Sequence, residues 1–591
     1  MYILSIHNGH NATAALAKDG QIIACVSEER VVNQKNFLGF PAKSIAKVLA
    51  MAGITAQELD LVCLPSRYGA PIHSSSGTKK DLGVALFVWL YQPINVVRWV
   101  WGQLVYLIPS FSFIGRFFYH LLAKTVGVYT TYRERMFVAD YLGIAPDKII
   151  NFEHHQMHAA AAYLASPYNR EKALVFTLDG EGDLLCATVS IADKGQLTRI
   201  AATFREHSFG WVFYYLTKYL GMKPMEHEYK VMGLAPYAKE KDVEPLYRKI
   251  EQLITLDQKN PLEFCSLFNT QDTYRYLKKE MEGYRFDNIA AAFQKLLEER
   301  LCEWVSFGIR KTGIDTVIVS GGVFMNVKAN QRVAALPGVK RFYVLPTCGD
   351  ESLPIGACLT GYQLACSKAS QSCDIEPIKD IYWGPAWTSK QIAAFLEAGN
   401  YARKYSVTRL DNMEERVAQL LAEGKVVGRM AGRMEWGARA LGNRSLLADP
   451  SNSDVVMILN EQMKDRDFWM PFAPSILQER ANDYLENPKH LTSPYMMMTF
   501  DATPLGKTKL KAALHPYDGT LRPQILEESW DPSYYHVIKE FERKTGIGAV
   551  LNTSFNLHGY PIVYGPEEAM FVFEHSGLSY LALENYLIEK R

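Results

Sequence analysis

The sequence predicts an α/β protein with a duplicated lobe in residues 1–370 and a second domain in residues 380–591. The segments 2–29 and 173–191 each have the pattern of a strand, an acidic glycine turn and another strand, which favours a duplication. A Ser-, Lys- and Pro-rich stretch at 368–380 separates the two parts, so we expect the domain boundary there.

The first 52 residues alternate between strand and turn signals before a helix begins. Residues 2–6 are apolar, a hairpin turns at Lys18–Gly20, and 41–52 has the apolar spacing of a helix. A strand, a hairpin and a helix in this order begin a nucleotide-binding lobe of the actin type. Residues 315–330 add a strand that runs through a glycine turn into a helix. In the second domain we expect short strands at 426–430, 548–552 and 561–565.

Composition and charge exclude several classes of protein. The chain has 591 residues, too many for one hydrophobic core, and its 48% hydrophobic and 21% charged content is that of an ordinary globular protein. A net charge of +1, from 64 basic and 63 acidic residues, gives no reason to expect nucleic-acid binding. Nine cysteines without a C-x-x-C pair argue against a disulfide framework and a zinc ribbon, and they favour the cytoplasm. The first residues lack the basic region of a signal peptide.

An apolar segment at 82–123 departs from the average composition. Pro93, Arg98, Pro109 and Arg116 interrupt it, so no uninterrupted run is long enough to span a membrane. We expect a helical insert at about residues 70–145, whose helices pack into the core or form a homodimer interface. A rim for an apolar substrate and a membrane-surface patch stay open as alternatives.

Three histidines in the motif FEHHQMHAAAAY suggest a metal site. His154 and His158 are four residues apart, which places both imidazoles on one face of a helix, and the alanines that follow favour a helix. The apolar KIINF before them reads as a strand, so the helix should begin where ligand sites of α/β sheets lie. His155 should lie on another face. The alternative is that these histidines are capping or surface groups.

Two aspartates follow predicted strands in the same part of the chain. Asp179 follows ALVFTL in the motif LDGEGD, and Asp350 follows RFYVLP in CGDES. A carboxylate in a glycine turn can reach a metal or a phosphate, although Asp-Gly is also a common hairpin turn. Two histidines and two aspartates suit Fe²⁺, Mn²⁺ or Zn²⁺ better than Mg²⁺, which prefers oxygen ligands alone.

Two further sets of residues point to anionic ligands. Gly321 and Gly322, with Asn326, lie between a strand and a helix, where the backbone can approach a nucleotide. In the second domain the glycine-rich stretch 428–450 contains few acids, and its arginines suggest bidentate recognition of phosphate or carboxylate. The arginines are Arg429, Arg433, Arg439 and Arg444, and further donors come from Lys464, Arg522 and Asn552.

Motifs that carry a family resemblance run through most of the chain. They are GHNATAAL, SEER with Lys35, FEHHQMHAAAAY, LDGEGD, EHEYKVMGLAPYA, SGGVFMNVKAN, CGDES with IGA, MEWGARALGNRSLLADP, PFAPSI, HPYDGTLRPQ and LNTSFNLHGYPIVYGPEEA. With these motifs the chain resembles the O-carbamoyltransferases, which include nodulation-factor, cephamycin and aminoglycoside carbamoyltransferases.

The resemblance implies two active domains. The first should be an actin-like domain with a metal, expected to be Fe²⁺ with Mn²⁺ or Zn²⁺ as alternatives, held by His154, His158, Asp179 and Asp350. The second should be a YrdC-like domain that uses carbamoyl phosphate and ATP, with its Mg²⁺, to make carbamoyl-adenylate. The residues carried over to this domain are Arg439, Arg444, Lys464, Arg522 and Asn552.

The resemblance also implies how the carbamoyl group reaches its acceptor. The first domain should transfer it from the adenylate to a hydroxyl of a small-molecule natural product, with His10 as the general base. The alternative for His10 is a hydrogen bond within its turn. Glu228 and Lys230 should face the ribose and the phosphate, and the residues around the adenosine should be Gly321, Gly322 and Asn326.

Two other functions compete with this interpretation. A factor for threonylcarbamoyl-tRNA synthesis or hydrogenase maturation would share both domains, but the near-neutral charge opposes tRNA binding and the missing C-x-x-C pairs oppose hydrogenase maturation. A non-catalytic ATPase switch of the actin type is the second competitor. A switch has no use for a separate carbamoyl phosphate site, so the Arg, Lys and Asn set of the second domain distinguishes the two.

Overall fold

The computed structural model describes residues 1–68, 112–464 and 467–591, leaving out the side chains of residues 112–126, 462 and 464. Over these residues the fold is mixed α/β, as predicted. The strands, in chain order, are β1 (Tyr2–His7), β2 (Thr13–Lys18), β3 (Gln21–Ser27), β4 (Leu61–Leu64), β5 (Ile149–Asn151), β6 (Ala173–Gly182), β7 (Leu185–Asp193), β8 (Gln196–Phe204), β9 (Ile254–Leu256), β10 (Phe264–Ser266), β11 (Thr316–Ser320), β12 (Arg341–Val344), β13 (Tyr405–Arg409), β14 (Val427–Met430), β15 (Arg444–Ala448), β16 (Ala473–Leu477), β17 (Phe500–Asp501), β18 (Thr520–Leu521), β19 (Gln524–Leu526), β20 (Ala549–Ser554), β21 (Tyr580–Leu583) and β22 (Tyr586–Lys590).

Helices connect and cover these strands. In chain order they are α1 (Glu28–Val32), α2 (Ala42–Ala52), α3 (Ser112–Leu142), α4 (His154–Leu164), α5 (Phe209–Tyr219), α6 (Glu228–Leu234), α7 (Glu240–Ile250), α8 (Thr273–Glu280), α9 (Phe286–Thr312), α10 (Val327–Ala335), α11 (Leu353–Lys368), α12 (Ser389–Ala398), α13 (Tyr401–Lys404), α14 (Met413–Ala422), α15 (Asp454–Leu459), α16 (Ala481–Tyr484), α17 (Pro504–Lys509), α18 (Pro532–Thr545) and α19 (Pro566–Glu574).

The two sheets of the first part have the same strand order. One sheet runs β3-β2-β1-β4-β5 and the other runs β8-β7-β6-β11-β12. In each, the central strand, β1 or β6, pairs antiparallel with the next strand along the chain and parallel with the strand on its other side. The duplication predicted from the sequence is therefore confirmed at the level of sheet order.

Helices α4 and α11 lie between these two sheets and pack closely against each other. The alanine run of α4 is buried, and so are the small residues at the start of α11. A side chain at Gly356 could not be accommodated, because its Cβ would lie 2.1 Å from the carbonyl oxygen of Met157. Small residues on both helices thus allow the two lobes to pack closely. The carboxyl ends of the central strands of both sheets therefore lie near each other.

The second part of the chain builds an eight-stranded sheet of its own, in the order β13-β22-β21-β14-β15-β20-β16-β19. The strands predicted at 426–430 and 548–552 correspond to β14 and β20, but 561–565 forms no strand. Carbonyls of that segment bind arginine side chains instead, since Ile562 accepts from Arg30 and Tyr564 accepts from Arg444. The boundary at 370–380 and the YrdC-like character of this sheet stay predictions.

The predicted apolar insert lies largely outside the described residues. Its last part is α3, which ends at Leu142. Among the described helices, none combines the length and the apolar character needed to cross a membrane.

Candidate active site

The four predicted metal ligands all lie at or just after the carboxyl ends of strands in the two related sheets. His154 opens α4 three residues after the end of β5, and His158 lies one turn further along. Asp179 lies near the end of β6, and Asp350 begins a short 3₁₀ turn after β12. Because α4 packs against α11, the loops from both sheets meet at one point.

The four side chains are close enough to share one ion. The Nε2 atoms of His154 and His158 lie 3.1 Å apart, and each lies 3.3 Å from Oδ2 of Asp179. Oδ1 of Asp350 lies 3.7 Å from His154 Nε2 and 3.6 Å from His158 Nε2. All four ligand atoms are within 4.8 Å of one another. Metal bonds of about 2.1 Å separate neighbouring ligand atoms by about 3.0–3.4 Å, so the cluster has the size of a metal site.

The start of α4 is held by its own cap and by a glycine. Glu153 caps the helix, accepting from the backbone N–H groups of His155 and Gln156 at 3.1 and 2.8 Å, and it pairs with Arg199. The His154 ring lies directly against Gly182, where a Cβ would come within 2.1 Å of the ring carbons. The last glycine of LDGEGD therefore makes room for the ring of a predicted metal ligand, a role that the sequence alone did not reveal.

Surrounding groups fix the orientation of the ligands. Nδ1 of His158 lies 3.3 Å from the Ser352 hydroxyl, and Oδ1 of Asp179 accepts from the backbone N–H of Gly322 at 3.3 Å. His155 turns away, with its Nδ1 2.9 Å from the Thr177 hydroxyl, as its position on another helix face predicts. Contacts of this kind set the tautomer and direction of metal-binding side chains.

Electrostatics show that the cluster attracts positive charge. Burial disfavours the imidazolium of His154, but Asp179 and Asp350 outweigh burial and raise its pKa to about 9. The pKa of His158 is also raised, since the same carboxylates again outweigh burial. Burial opposes ionisation of Asp179, yet its hydrogen bonds to the two histidines hold its pKa well below the usual range. A divalent cation would replace these two protons.

The donor set fits a divalent transition metal. Two imidazole nitrogens and two carboxylate oxygens converge, and all four belong to side chains that are mostly buried. Nitrogen ligands favour Fe²⁺, Mn²⁺ or Zn²⁺ over Mg²⁺. The identity of the ion stays a prediction.

Two further carboxyl groups, the half-buried Asp183 and the buried Glu134, were missed from the sequence. Asp183 accepts from the backbone N–H of His154 at 2.8 Å and from the N–H groups of Arg67 and Tyr68 at 2.9 and 3.0 Å. Glu134 of α3 is 2% exposed, and burial raises its pKa to about 8 although Asn8 and Asn151 bind it. The position of Asp183 in LDGEGD was a usable signal, whereas Glu134 lies in a segment without a recognisable motif.

His10, the predicted base, is half-buried in the turn between β1 and β2. Its carbonyl oxygen accepts from Nε2 of His7 at 3.0 Å, and that nitrogen lies 3.8 Å from Oδ2 of Asp350. Burial lowers the pKa of His7 to about 4, which keeps this imidazole neutral. Glu351, the residue after Asp350, interacts electrostatically with His10. The turn of His10 therefore adjoins the histidine–aspartate cluster.

The glycine turn predicted for the nucleotide packs against the end of β6. Gly321 has φ of 100°, and a Cβ there would lie 2.3 Å from the carbonyl oxygen of Leu178. A Cβ on Gly322 would lie 2.8 Å from Oδ1 of Asp179. The Asn326 side chain caps α10 through Ala329 N–H at 3.0 Å and exchanges hydrogen bonds with Gln294. Nucleotide contacts of these residues stay predictions.

Of the two predicted residues in α6, Lys230 contacts the second part of the chain and Glu228 contacts the loop before its own helix. Lys230 pairs with Asp467 at 2.9 Å. Glu228 accepts from the backbone N–H of Met225 at 2.6 Å, and burial raises its pKa. The side chain of Lys464 lies outside the described residues, but Asp467 follows it by three positions, so Lys230 approaches the predicted adenylate-forming segment.

The four arginines of the glycine-rich stretch do not share one role. Arg444 is fully buried, and its N–H groups donate to carbonyl oxygens, among them Ala431 at 3.0 Å and Asn443 at 2.7 Å. Arg429 donates to the Gly442 carbonyl and the Asn443 side chain at 2.8 and 2.7 Å. The same holds for Arg433, which donates to the carbonyls of Gly384, Ile23 and Trp383. In the structure these three side chains therefore stabilise nearby loops, and their part in an anion site stays a prediction.

Arg439 differs from its three neighbours. Burial lowers its pKa, while Tyr229, Cys348 and Glu351 of the first part oppose that shift. Its Nε has no hydrogen-bond partner within the described part of the chain. Two residues before it, Gly437 packs against Thr347, where a Cβ would lie 3.2 Å from the threonine side chain. Arg439 thus extends toward the loop that carries Asp350.

Of the remaining predicted residues of the second part, Asn552 lies on an inner strand of the sheet and Arg522 lies beside its edge strand β19. Asn552 of β20 is buried and donates to the Ala440 carbonyl at 3.1 Å and to the Ser475 hydroxyl at 3.0 Å. Its Oδ1 is buried without a partner in the described residues. Arg522 is half-buried between β18 and β19. Their substrate contacts stay predictions.

Comparison with known families matches most of the chain. The family described as Carbamoyltransferase N-terminus matches residues 2–70 and 117–359. The family described as Carbamoyltransferase C-terminus matches residues 418–590. The first match omits residues 71–116, which contain most of the apolar segment.

Relatives of similar length exist in bacteria and archaea. An uncharacterised protein of Methanocaldococcus jannaschii is 30% identical over 100% of this chain and 99% of its own length. Nodulation protein NolNO of Sinorhizobium fredii is 28% identical over 98% of this chain and 79% of its own. Nodulation protein NolO of Bradyrhizobium diazoefficiens is 31% identical over 74% of this chain and 79% of its own length.

Likeness to solved structures is weaker. Full-length HypF in its phosphate- and nucleotide-bound form has a TM-score of 0.34 at 14% identity, with 63% of this chain and 56% of that chain covered. Component A of the (R)-2-hydroxyglutaryl-CoA dehydratase of Acidaminococcus fermentans has a TM-score of 0.33 at 15% identity, with 62% and 99% covered. At these TM-scores the likeness carries no argument about this chain.

Proposed function

The chain belongs to the carbamoyltransferase family, and we propose that it is an ATP-dependent O-carbamoyltransferase acting on a small-molecule alcohol. In this reaction carbamoyl phosphate, ATP and water give carbamoyl-adenylate, pyrophosphate and phosphate in the second domain. The acceptor hydroxyl then attacks the carbamoyl carbon in the first domain, and AMP leaves. The products are a carbamate ester, AMP and the proton of the hydroxyl.

One observation carries the proposal: Arg439 of the second domain extends to the loop that holds Asp350. Its guanidinium interacts electrostatically with Cys348 and Glu351, which lie on either side of that predicted ligand. A group that binds the anionic intermediate near both sites would shorten its path from the site that makes it to the site that uses it. A guanidinium with a buried, unpartnered Nε suits the phosphate of an adenylate.

The transfer site would combine the histidine–aspartate cluster with the turn of His10. His154, His158, Asp179 and Asp350 would hold the divalent ion, which polarises a carbonyl or neutralises a phosphate when it is bound. The imidazole of His10 would accept the proton of the attacking hydroxyl. His7 is kept neutral by burial and donates to the carbonyl of His10, so it would orient the turn.

The adenylate-forming site would use donors of the second domain. Arg439, Lys464, Arg522 and the Asn552 amide would bind carbamoyl phosphate and ATP. Lys230 would steady the segment after Lys464 through Asp467. We assign Arg444 a structural part in this site, since the protein's own carbonyls use its N–H groups.

Mass spectrometry of products tests the proposal. The purified protein, loaded with Fe²⁺, is incubated with ATP, Mg²⁺, carbamoyl phosphate and a panel of sugars, aminoglycosides, macrocycles and simple polyols. We expect AMP and pyrophosphate to form and one alcohol to gain a single carbamoyl group. A Lys464→Ala variant should stop pyrophosphate release yet keep transfer from supplied carbamoyl-adenylate. Equal loss of both half-reactions in that variant would contradict the two-site scheme.

A further inference from the structure

A buried carboxyl group lies between the turn of the predicted base and the loop of a metal ligand. Glu351 is 7% exposed, although it directly follows Asp350. Its Oε1 accepts from the Thr347 hydroxyl, and its Oε2 accepts a long hydrogen bond of 3.5 Å from Nδ2 of Asn11. Buried carboxyl groups require such partners, so these contacts define where the side chain can sit.

Backbone around Glu351 is shaped to admit the carboxyl group. A Cβ on Gly349 would lie 2.4 Å from Oε2 of Glu351, so a larger residue there would displace the carboxyl group from its present position. Thr347, the other partner of Glu351, is itself in contact with Gly437 of the second part. The carboxyl group is thus held from the loop of Asp350, and its partner Thr347 lies against the loop between β14 and β15 of the second part.

Its contact on the other side is a turn of unusual backbone. Asn11 has φ of 57°, in the left-handed region that asparagine tolerates better than most residues. The backbone on both sides of Asn11 is fixed, since Gly39 N–H donates to the Gly9 carbonyl at 3.2 Å and Ala12 N–H donates to Phe37 at 3.3 Å. The Asn11 side chain then links the centre of the turn to Glu351.

We propose that Glu351 is a positioning residue that holds the His10–Asn11 turn at a fixed place relative to Asp350. The proposal rests on the proposed function for the role of His10, but its structural part does not. By accepting from Asn11, the carboxyl group sets the distance between the base and the transfer site. Partners of this kind around a metal site change activity by about 10–100-fold when they are removed.

Four variants test the proposal. Glu351→Met keeps the shape and removes both acceptor oxygens, and Asn11→Gly removes the donor while tolerating the left-handed backbone. The third variant combines the two, and Glu351→Gln keeps one oxygen that can accept from Asn11. Hydrogen exchange of residues 8–12 by mass spectrometry should be about tenfold faster in Glu351→Met and in Asn11→Gly. The double variant should exchange no faster than either single one, and Glu351→Gln should resemble the natural protein.

Measurements of carbamoyl transfer distinguish a positioning role of Glu351 from a general structural role. In the first two variants kcat for transfer from supplied carbamoyl-adenylate should fall by about 10–100-fold, while KM, bound metal and pyrophosphate release stay unchanged. Unchanged hydrogen exchange in Asn11→Gly, additive losses in the double variant, or loss of metal from Glu351→Met would overturn the proposal. If the natural protein carbamoylates none of the alcohols, the proposed function fails, whereas the exchange measurement still decides whether Glu351 holds the turn.

Discussion

The histidine–aspartate cluster and the arginine-rich stretch at 429–444 both bury charged side chains, but they use them in opposite ways. In the cluster, the ligand atoms of the four residues face one another within 4.8 Å. In the stretch, Arg429 and Arg444 donate to oxygen atoms of the protein itself. A high density of charged residues therefore does not identify a binding site. What identifies one is a group of buried polar atoms whose partners are each other or are missing.

Removing a ligand should have the largest effect. His154→Ala takes one nitrogen from the cluster, so we expect loss of bound metal and a fall in carbamoyl transfer on the order of 10³-fold. Metal analysis and transfer from supplied carbamoyl-adenylate measure the two effects. His155→Gln is the matched control, because His155 lies on the same helix but contacts Thr177. Equal metal loss in both variants would mean that the helix, rather than the ligand, had been damaged.

Glu134 tests how strongly burial near the cluster disfavours an ionised carboxyl group. Burial raises its pKa to about 8, so the Glu134 carboxyl group stays protonated in the folded protein up to that pH. In the unfolded chain the same group ionises above about pH 4.5. Stability should therefore fall as pH rises from about 4.5 to 8, by roughly 4 kcal/mol, and then level off. Glu134→Gln should lack this loss.

Urea unfolding of both proteins at pH 5 and pH 8.5 measures the difference. Comparing two pH values cancels any effect of the substitution that does not depend on pH. If the variant and the natural protein lose equal stability between the two values, Glu134 is not the group whose ionisation causes the loss.

On the other side of the comparison, Arg444→Met should mainly cost stability. The substitution keeps the length of the side chain but leaves several buried carbonyl oxygens without a donor, and we expect a loss of about 3 kcal/mol. Thermal and urea unfolding measure it. Arg433→Met, at an exposed position, should cost less than about 1 kcal/mol. A stable Arg444→Met protein that no longer makes adenylate would instead place Arg444 in the substrate site.

Much of the first part could be predicted because its signals are local and periodic. His154 and His158 are four residues apart, so helix geometry places them on one face. Asp179 and Asp350 lie at the carboxyl ends of strands that meet at one edge. The duplicated sheet order also left a repeated strand and turn pattern in the sequence.

The missed features depend on contacts between distant residues. Glu351 is hydrogen-bonded to Asn11, 340 positions away in the sequence. The carbonyls of Ile562 and Tyr564 accept from Arg30 and Arg444 instead of pairing with a neighbouring strand. A sequence shows which arginines are present, but not which carbonyls the fold leaves without a donor. That is why the roles of Arg439 and Arg444 could not be separated before the structure.

Arg439→Ala decides whether Arg439 binds the substrate or, like Arg444, supports the backbone. Its Nε has no partner within the described residues, so truncation should leave stability within about 0.5 kcal/mol of the natural protein. If its guanidinium binds the adenylate phosphate, steady-state carbamoylation should fall by about 100-fold. Arg439→Lys should recover little, since a single ammonium cannot replace a bidentate contact. A variant that is unstable yet fully active would show that Arg439, like Arg444, only supports the backbone.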